Sequence, residues 1–341
     1  MIEEKENRMG VMPVGKLLFS MSTPMVISFL VQSLYNIVDS IFVARYSPDA
    51  LAAVSLAYPI QILMIAVSVG TGVGVNALLS RLLGEGKKDR AKVTADNAVL
   101  LAIMASIVFA IFGAIATKAF FDAQTNSESI RSLGYSYLSI VTIFSFGLIL
   151  EVTYERILQS TGKTIYNMIT QGIGAIINII LDPILIFGLL GAPKMGVAGA
   201  AIATVAGQIF AMILSFVFNM KYNEEVDITF GKHIFKPDLI IIKDIYKVGI
   251  PSIAMQSMST LMMLGLNKIL VRYSDMAVNV LGIYYKLQSF VFMPIFGLNN
   301  GMTPIVAYNY GARNKDRIMK ALKYSFLSSI VIMVIGTAIF W

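Results

Sequence analysis

"RYSPDA", Arg45–Ala50, closes a long apolar run and returns later in the chain as "RYSDMA", Arg272–Ala277. Sliding the 341-residue chain against itself by 227 positions superposes the two stretches without a gap and lays Pro251 on Pro24. In the same register Tyr58 meets Tyr285, Gln61 meets Gln288, and Gly70, Gly74 and Gly84 meet Gly297, Gly301 and Gly311. Further on, "KDR" at 88–90 meets "KDR" at 315–317. Apolar letters match by chance in such a composition. Charged and glycine positions matching in order over about 70 residues mark an internal repeat.

The solvent of that repeat is lipid. The chain is 57% hydrophobic and 14% charged, with a mean hydropathy of +0.74, whereas soluble domains carry about 25% charged residues. Nine apolar runs approach or exceed the roughly 20 residues that cross a bilayer: 17–44, 51–80, 96–117, 133–154, 165–188, 196–219, 245–271, 276–305 and 323–341. None shows the period-two alternation of a membrane barrel, so helices carry the spans.

Six helices separate the two copies, an even number, so both copies enter the membrane in the same sense. The expected fold is an all-α multi-pass membrane protein of two six-helix lobes in a parallel repeat, related by an axis along the membrane normal. Residues 1–225 form the first lobe with helices 1–6, residues 226–243 a cytoplasmic linker, and residues 244–341 an incomplete second lobe with helices 7–9. If the halves match, a twelve-helix whole would need about three helices beyond Trp341.

The formal charge of +7 is topogenic. Twenty of the 27 Lys and Arg fall on alternate loops of one side: near the N-terminus, at 81–92, at Arg156 and Lys163, at 221–247 and at 313–323. The opposite side holds Arg45, Lys118, Arg131, Lys194, Lys268 and Arg272, and Lys286 lies within a helix. The positive-inside rule makes the N-terminus cytoplasmic, in a cell (inner) membrane, and removes the case for nucleic acid. No cysteine is present, which excludes disulfides and thiolate metal sites; His233 sits in a polar loop. No small-residue cleavage site follows the first helix, so no cleaved signal peptide is expected.

Two carboxylates interrupt the apolar runs. Asp39 lies six residues before Arg45, and Asp182, in "INIILDPILIFG", lies six before the outer end of helix 5. At 1.5 Å per residue both sit about 9 Å inside the outer boundary. Asn36 at i−3 and Asn178 at i−4 share their faces. A carboxylate at bilayer depth costs about 2.5–3.5 kcal/mol and turns to a bundle interior or an aqueous cavity. Low dielectric favours its neutral form, so such a group binds and releases a proton or Na⁺. A structural hydrogen bond between helices is the plainer alternative; two matched pairs favour function. Pro183 leaves the Ile179 carbonyl without its usual helical partner, free for a cation or a bend, and Pro24 and Pro251 are candidate hinges or ordinary membrane prolines. Glu151 and Glu155 beside Arg156 read as a local ion pair at the interface.

"STGKT" at 160–164 lacks the first glycine of a phosphate loop, because position 157 is Ile157, and no strand precedes it. "GTGVG" at 70–74 lies within a membrane helix, where small residues permit close packing. ATP is thus not the expected energy source. An intramembrane aspartyl protease, the rival from the enzyme class, would need Gly-x-Gly-Asp where this chain has "IILDP".

Four stretches together carry a family resemblance: "TPMVISFLVQSLYNIVDSIFVAR", "LLSRLLGEGKKDRA", "INIILDPILIFG…MGVAGAAIATVAGQ" and "FMPIFGLNNGMTPIVAYNYGARN". They resemble the multidrug and toxic compound extrusion (MATE) family, in its bacterial MepA-like branch. The resemblance implies a transporter and not an enzyme: an antiporter exporting bulky, often cationic organic compounds against inward H⁺ or Na⁺, without other cofactors and as a monomer. Carried over residue by residue, its cation-coupling site falls on Asp39, Asn178 and Asp182, which would also hold Na⁺, with Thr204 and Tyr137 on weaker matches. Tyr35, Asn36, Gln61, Gln256, Lys286 and Gln288 are expected to line the substrate cavity. Lys286 could repel or orient a cation, or pair with an acid elsewhere. A lipid-linked oligosaccharide flippase of the same superfamily is the rival within transport, but its cavity would call for several cationic residues.

Overall fold

A computed structural model describes residues 7–226, 236–270 and 275–340. Linker residues 227–235 with His233, Arg272 of the repeated stretch, and the side chain of Lys286 lie outside that description. Every described element is helical. A short α1 (Arg8–Val11) precedes α2 (Val14–Tyr46), α3 (Pro48–Gly84), α4 (Lys88–Ile115), α5 (Thr117–Gln124), α6 (Glu128–Ile143), α7 (Phe146–Ser160), α8 (Thr164–Phe187) and α9 (Val197–Tyr222). After the linker come α10 (Leu239–Leu270), α11 (Asp275–Gly311) and α12 (Lys315–Phe340).

The local sequence explains where these helices stop. Ser47 caps α3 by accepting from the Ala50 N–H, and Pro48 occupies the first turn, where its missing N–H costs nothing. Gly188 ends α8 at φ 76°, the left-handed region open to glycine. Met195 and Gly196 then return their N–H groups to the Leu185 and Ile186 carbonyls. The helices run unbroken through Pro24, Pro59, Pro183 and Pro251.

Among the described residues six helices are long and apolar enough to cross a membrane: α2, α3, α4, α8, α9 and α12. A seventh span is broken. The run 133–154, expected as one helix, is instead α6 and α7, bent by 41°. At the break Ser145 and Gly147 donate to carbonyls three residues back, Thr142 and Phe144, in place of the α-helical four. The bend re-aims α7, which carries Glu151 and Glu155 into the protein. Helices α10 and α11 occupy the two remaining expected spans.

The repeat has become a seam. α3 packs on α10 and on α11, and α2 packs on α11. Gly70 lies against Ile253 while Gly297 lies against Val26; Gly74 lies against Ile245 and Gly249 while Gly301 lies against Ser22; Gly84 meets the Tyr308 carbonyl while Gly311 meets that of Arg81. Each pair of contacts is related by the same 227-residue shift, as in an isologous interface where residue i meets j and j meets i. A Cβ at Gly84 or Gly311 would overlap the facing carbonyl, so the repeated glycines are what allow the backbones to touch.

The seam occupies the end of the molecule that carries the basic loops. There α1 ties the copies together: Arg8 donates to the Gly162 carbonyl at 2.6 Å, and Arg317 donates to the Met9 and Met12 carbonyls at 2.9 and 2.7 Å. Towards the other end the facing stretches are uncovered. Tyr58, Met255, Met258 and Tyr284 are all more than half exposed, and Asn36 and Ser40 are exposed too. The glycine contacts between the copies lie towards the basic end, and these side chains beyond them are uncovered.

Candidate functional site

Asp39 and Asp182 come together across α2 and α8. Asp182 is 0% exposed. With the Asn178 amide oriented so that its oxygen accepts from the Thr204 N–H (3.2 Å), its nitrogen donates to Asp182 Oδ2 (3.3 Å). Asp39 keeps a buried Oδ1 with no partner. Tyr137, 2% exposed, lies within electrostatic reach of both carboxyls, and its hydroxyl accepts from Gln61 Nε2 at 3.1 Å. Asp39, Asn178, Asp182, Thr204 and Tyr137 thus form one cluster drawn from α2, α6, α8 and α9.

This cluster offers carboxylate, amide, hydroxyl and phenol oxygens, a donor set suited to a proton or a hard monovalent cation. Among the described residues no group of three or more His, Cys, Asp and Glu could hold a metal.

The residues expected to line a cavity are scattered. Tyr35 borders a crevice between α2, α7, α8 and α9, together with Gln32, Glu151, Glu155, Gln171 and Gln208. Asn178 and Thr204 form its far wall, so the crevice adjoins the aspartate cluster. It encloses about 70 Å³ open to the centres of water molecules, enough for several waters. Asn36 is exposed on α2, Gln61 is engaged with Tyr137, and Gln256 and Gln288 belong to the second copy, away from the crevice.

The ion pair expected at Glu155 and Arg156 does not form. Glu155 accepts from Thr170 Oγ1 (2.7 Å) and Gln171 Nε2 (2.8 Å), while Arg156 reaches Gln159 Oε1 (2.8 Å) and, in the second copy, Asn300 Oδ1 (2.5 Å). Successive residues on a helix point about 100° apart, and here they face different neighbours. Apart from Gln159, three positions on, these partners lie 15 to 144 positions away in the chain, so no local spacing marked them. The one available signal was a pair of glutamates at i and i+4 in an apolar run.

Known proteins share this architecture. The MatE family model matches residues 24–184 and 251–341. The multidrug export protein MepA of Staphylococcus haemolyticus is 32% identical over 327 residues, which cover 94% of this chain and 70% of that protein. An FAD transporter of Shewanella oneidensis is 28% identical over 314 residues, covering 92% of this chain and 69% of its own length. An outward-facing multidrug resistance MATE family transporter of the MOP superfamily superposes with a TM-score of 0.91 at 27% identity, covering 98% of this chain and 73% of that one.

Proposed function

The chain belongs to the MatE family of membrane transporters, and from that premise we propose a cation-coupled antiporter that exports bulky organic cations by alternating access. The observation that carries the proposal is the approach of Asp39 to the fully buried Asp182, beside the crevice between α2, α7, α8 and α9. In the outward-open state of the cycle the pair takes up H⁺ or Na⁺ from outside. Filling it neutralises the site, lowers its attraction for a cationic cargo and lets α2 repack. Release on the other side resets the cycle. The twenty basic residues that fall on alternate loops of one side support an orientation with that side, and the N-terminus, in the cytoplasm. The two lobes of the working protein are then residues 1–225 and the part that begins near residue 244, with 226–243 as linker.

Electrostatics favours a cationic cargo over a dinucleotide or a lipid pyrophosphate. The crevice and the cluster together present Glu151, Glu155, Asp39 and Asp182, and Arg156, which follows Glu155 on α7, is engaged with Gln159 and Asn300. The discriminating measurement is efflux of a fluorescent organic cation from proteoliposomes, with proton and sodium gradients imposed separately. Export driven by one of the two gradients is expected. Export that follows ATP, or that ignores both gradients, would overturn the reading.

A further inference from the structure

We propose that the crevice between α2, α7, α8 and α9 holds a second monovalent-cation site, centred on the Glu151 carboxylate and separate from the Asp39–Asp182 pair. Glu151 is 8% exposed and lines the crevice, yet its carboxylate makes no hydrogen bond or ion pair among the described residues. Its neighbour one turn on, Glu155, is provided for by Thr170 and Gln171. Because Gln171 spends its nitrogen on Glu155, its Oε1 must turn elsewhere, and that oxygen is buried without a partner. Gln208 Oε1, on the α9 wall, is buried and unpartnered as well.

The two buried, unpartnered side-chain atoms of this crevice, Gln171 Oε1 and Gln208 Oε1, are both acceptors, and the Glu151 carboxylate beside them is a third acceptor group. A buried acceptor without a donor is costly, and a buried carboxylate more so, which makes the position one that a cation or a proton would satisfy. The other ionisable groups facing Glu151 are Tyr35 from α2 and Glu155 from its own helix; α8 and α9 contribute only neutral side chains, Gln171, Asn178, Thr204 and Gln208. Arg156 is occupied by Gln159 and Asn300. About 70 Å³ of water-accessible space fits a small ion with part of its hydration shell, not a bulky organic molecule.

The site adjoins the aspartate cluster without merging with it. Asn178 and Thr204 are the shared wall, and the Tyr35 hydroxyl lies within electrostatic reach of Glu151, Asp39 and Asp182. Two such sites in one lobe mean more than one small cation handled per transport cycle.

The test counts ions. Bound ²²Na⁺ is measured by scintillation proximity on purified protein in detergent, and bound protons by an indicator dye on the same samples. An Asp39→Asn/Asp182→Asn variant is expected to keep one Na⁺ or one proton per chain, and addition of Glu151→Gln is expected to bring that count to zero with the melting temperature preserved. Gln171→Ala in the same background, which removes an acceptor but no charge, is expected to weaken the remaining ion by about tenfold or more. An aspartate variant that melts normally but holds neither ion would overturn the second site, as would an ion that survives Glu151→Gln. Unimpaired gradient-driven export by the aspartate variant would sink the coupling role of the pair and leave the Glu151 site standing.

Discussion

Asp39 and Asp182 were legible because a carboxylate in an apolar run has few explanations, and the matched Asn residues placed both on defined faces. Their contact was not legible, since no spacing links residues 143 positions apart. Glu151 was misread for the converse reason: Arg156, close in sequence, pointed to a local partner that the fold does not use. At this scale Asn178 is the sensitive position. It stands between Asp182 and the Thr204 backbone, so Asn178→Leu strands a buried carboxyl and is expected to cost about 1–3 kcal/mol in detergent unfolding. In an Asp182→Asn background the same substitution is expected to cost less, with a coupling of about 0.5–3 kcal/mol in a double-mutant cycle. Strict additivity would mean that the two side chains do not bond.

Among the elements, the long helices could be read directly from hydropathy, and the proline positions did not disturb them. The break between α6 and α7 escaped the sequence because neither residue at it, Phe144 or Ser145, is a helix breaker; it is made by two hydrogen bonds that shorten from four residues to three. The turn from α3 to α4 has its own electrostatic clamp. Glu85 is held below the usual carboxylate range chiefly by its hydrogen bond to Lys87, with Arg81 adding to it. A depressed carboxylate contributes stability above its unfolded value, about 4.3, and loses it as pH falls through the folded one. Amide exchange at Lys87–Ala91 should therefore be insensitive to pH-driven opening near neutrality and show faster opening below about pH 4. Opening that does not change across that range would count against the clamp. The glycine seam is tested by volume. Gly84→Leu and Gly311→Leu each push a side chain into a facing carbonyl, so each is expected to destabilise by at least about 1–3 kcal/mol, and by similar amounts because their contacts are copies of one another. A large difference between the two would contradict the symmetry.

For the whole molecule, self-comparison announced two copies entering the membrane alike, and the seam between them is built from the very glycines that aligned. What the sequence did not disclose is that these glycines bring the copies into contact towards the basic end, because that is a matter of how the helices pack. Alternating access requires the seam to open. The chain contains no cysteine, so a pair introduced at Ser22 and Leu298, which touch across the seam, can be cross-linked without background. Locking it with a short bifunctional maleimide is expected to stop export, while the singly labelled variants continue; a locked protein that exports at the unlabelled rate would mean that the seam is static. The most direct test of coupling compares two modes of transport in the Asp39→Asn/Asp182→Asn variant: uphill export driven by a cation gradient, and exchange of labelled for unlabelled cargo at equilibrium. Loss of uphill export with exchange retained is the result expected of a protein whose aspartate pair carries the driving cation; uphill export at the unmodified rate would contradict it.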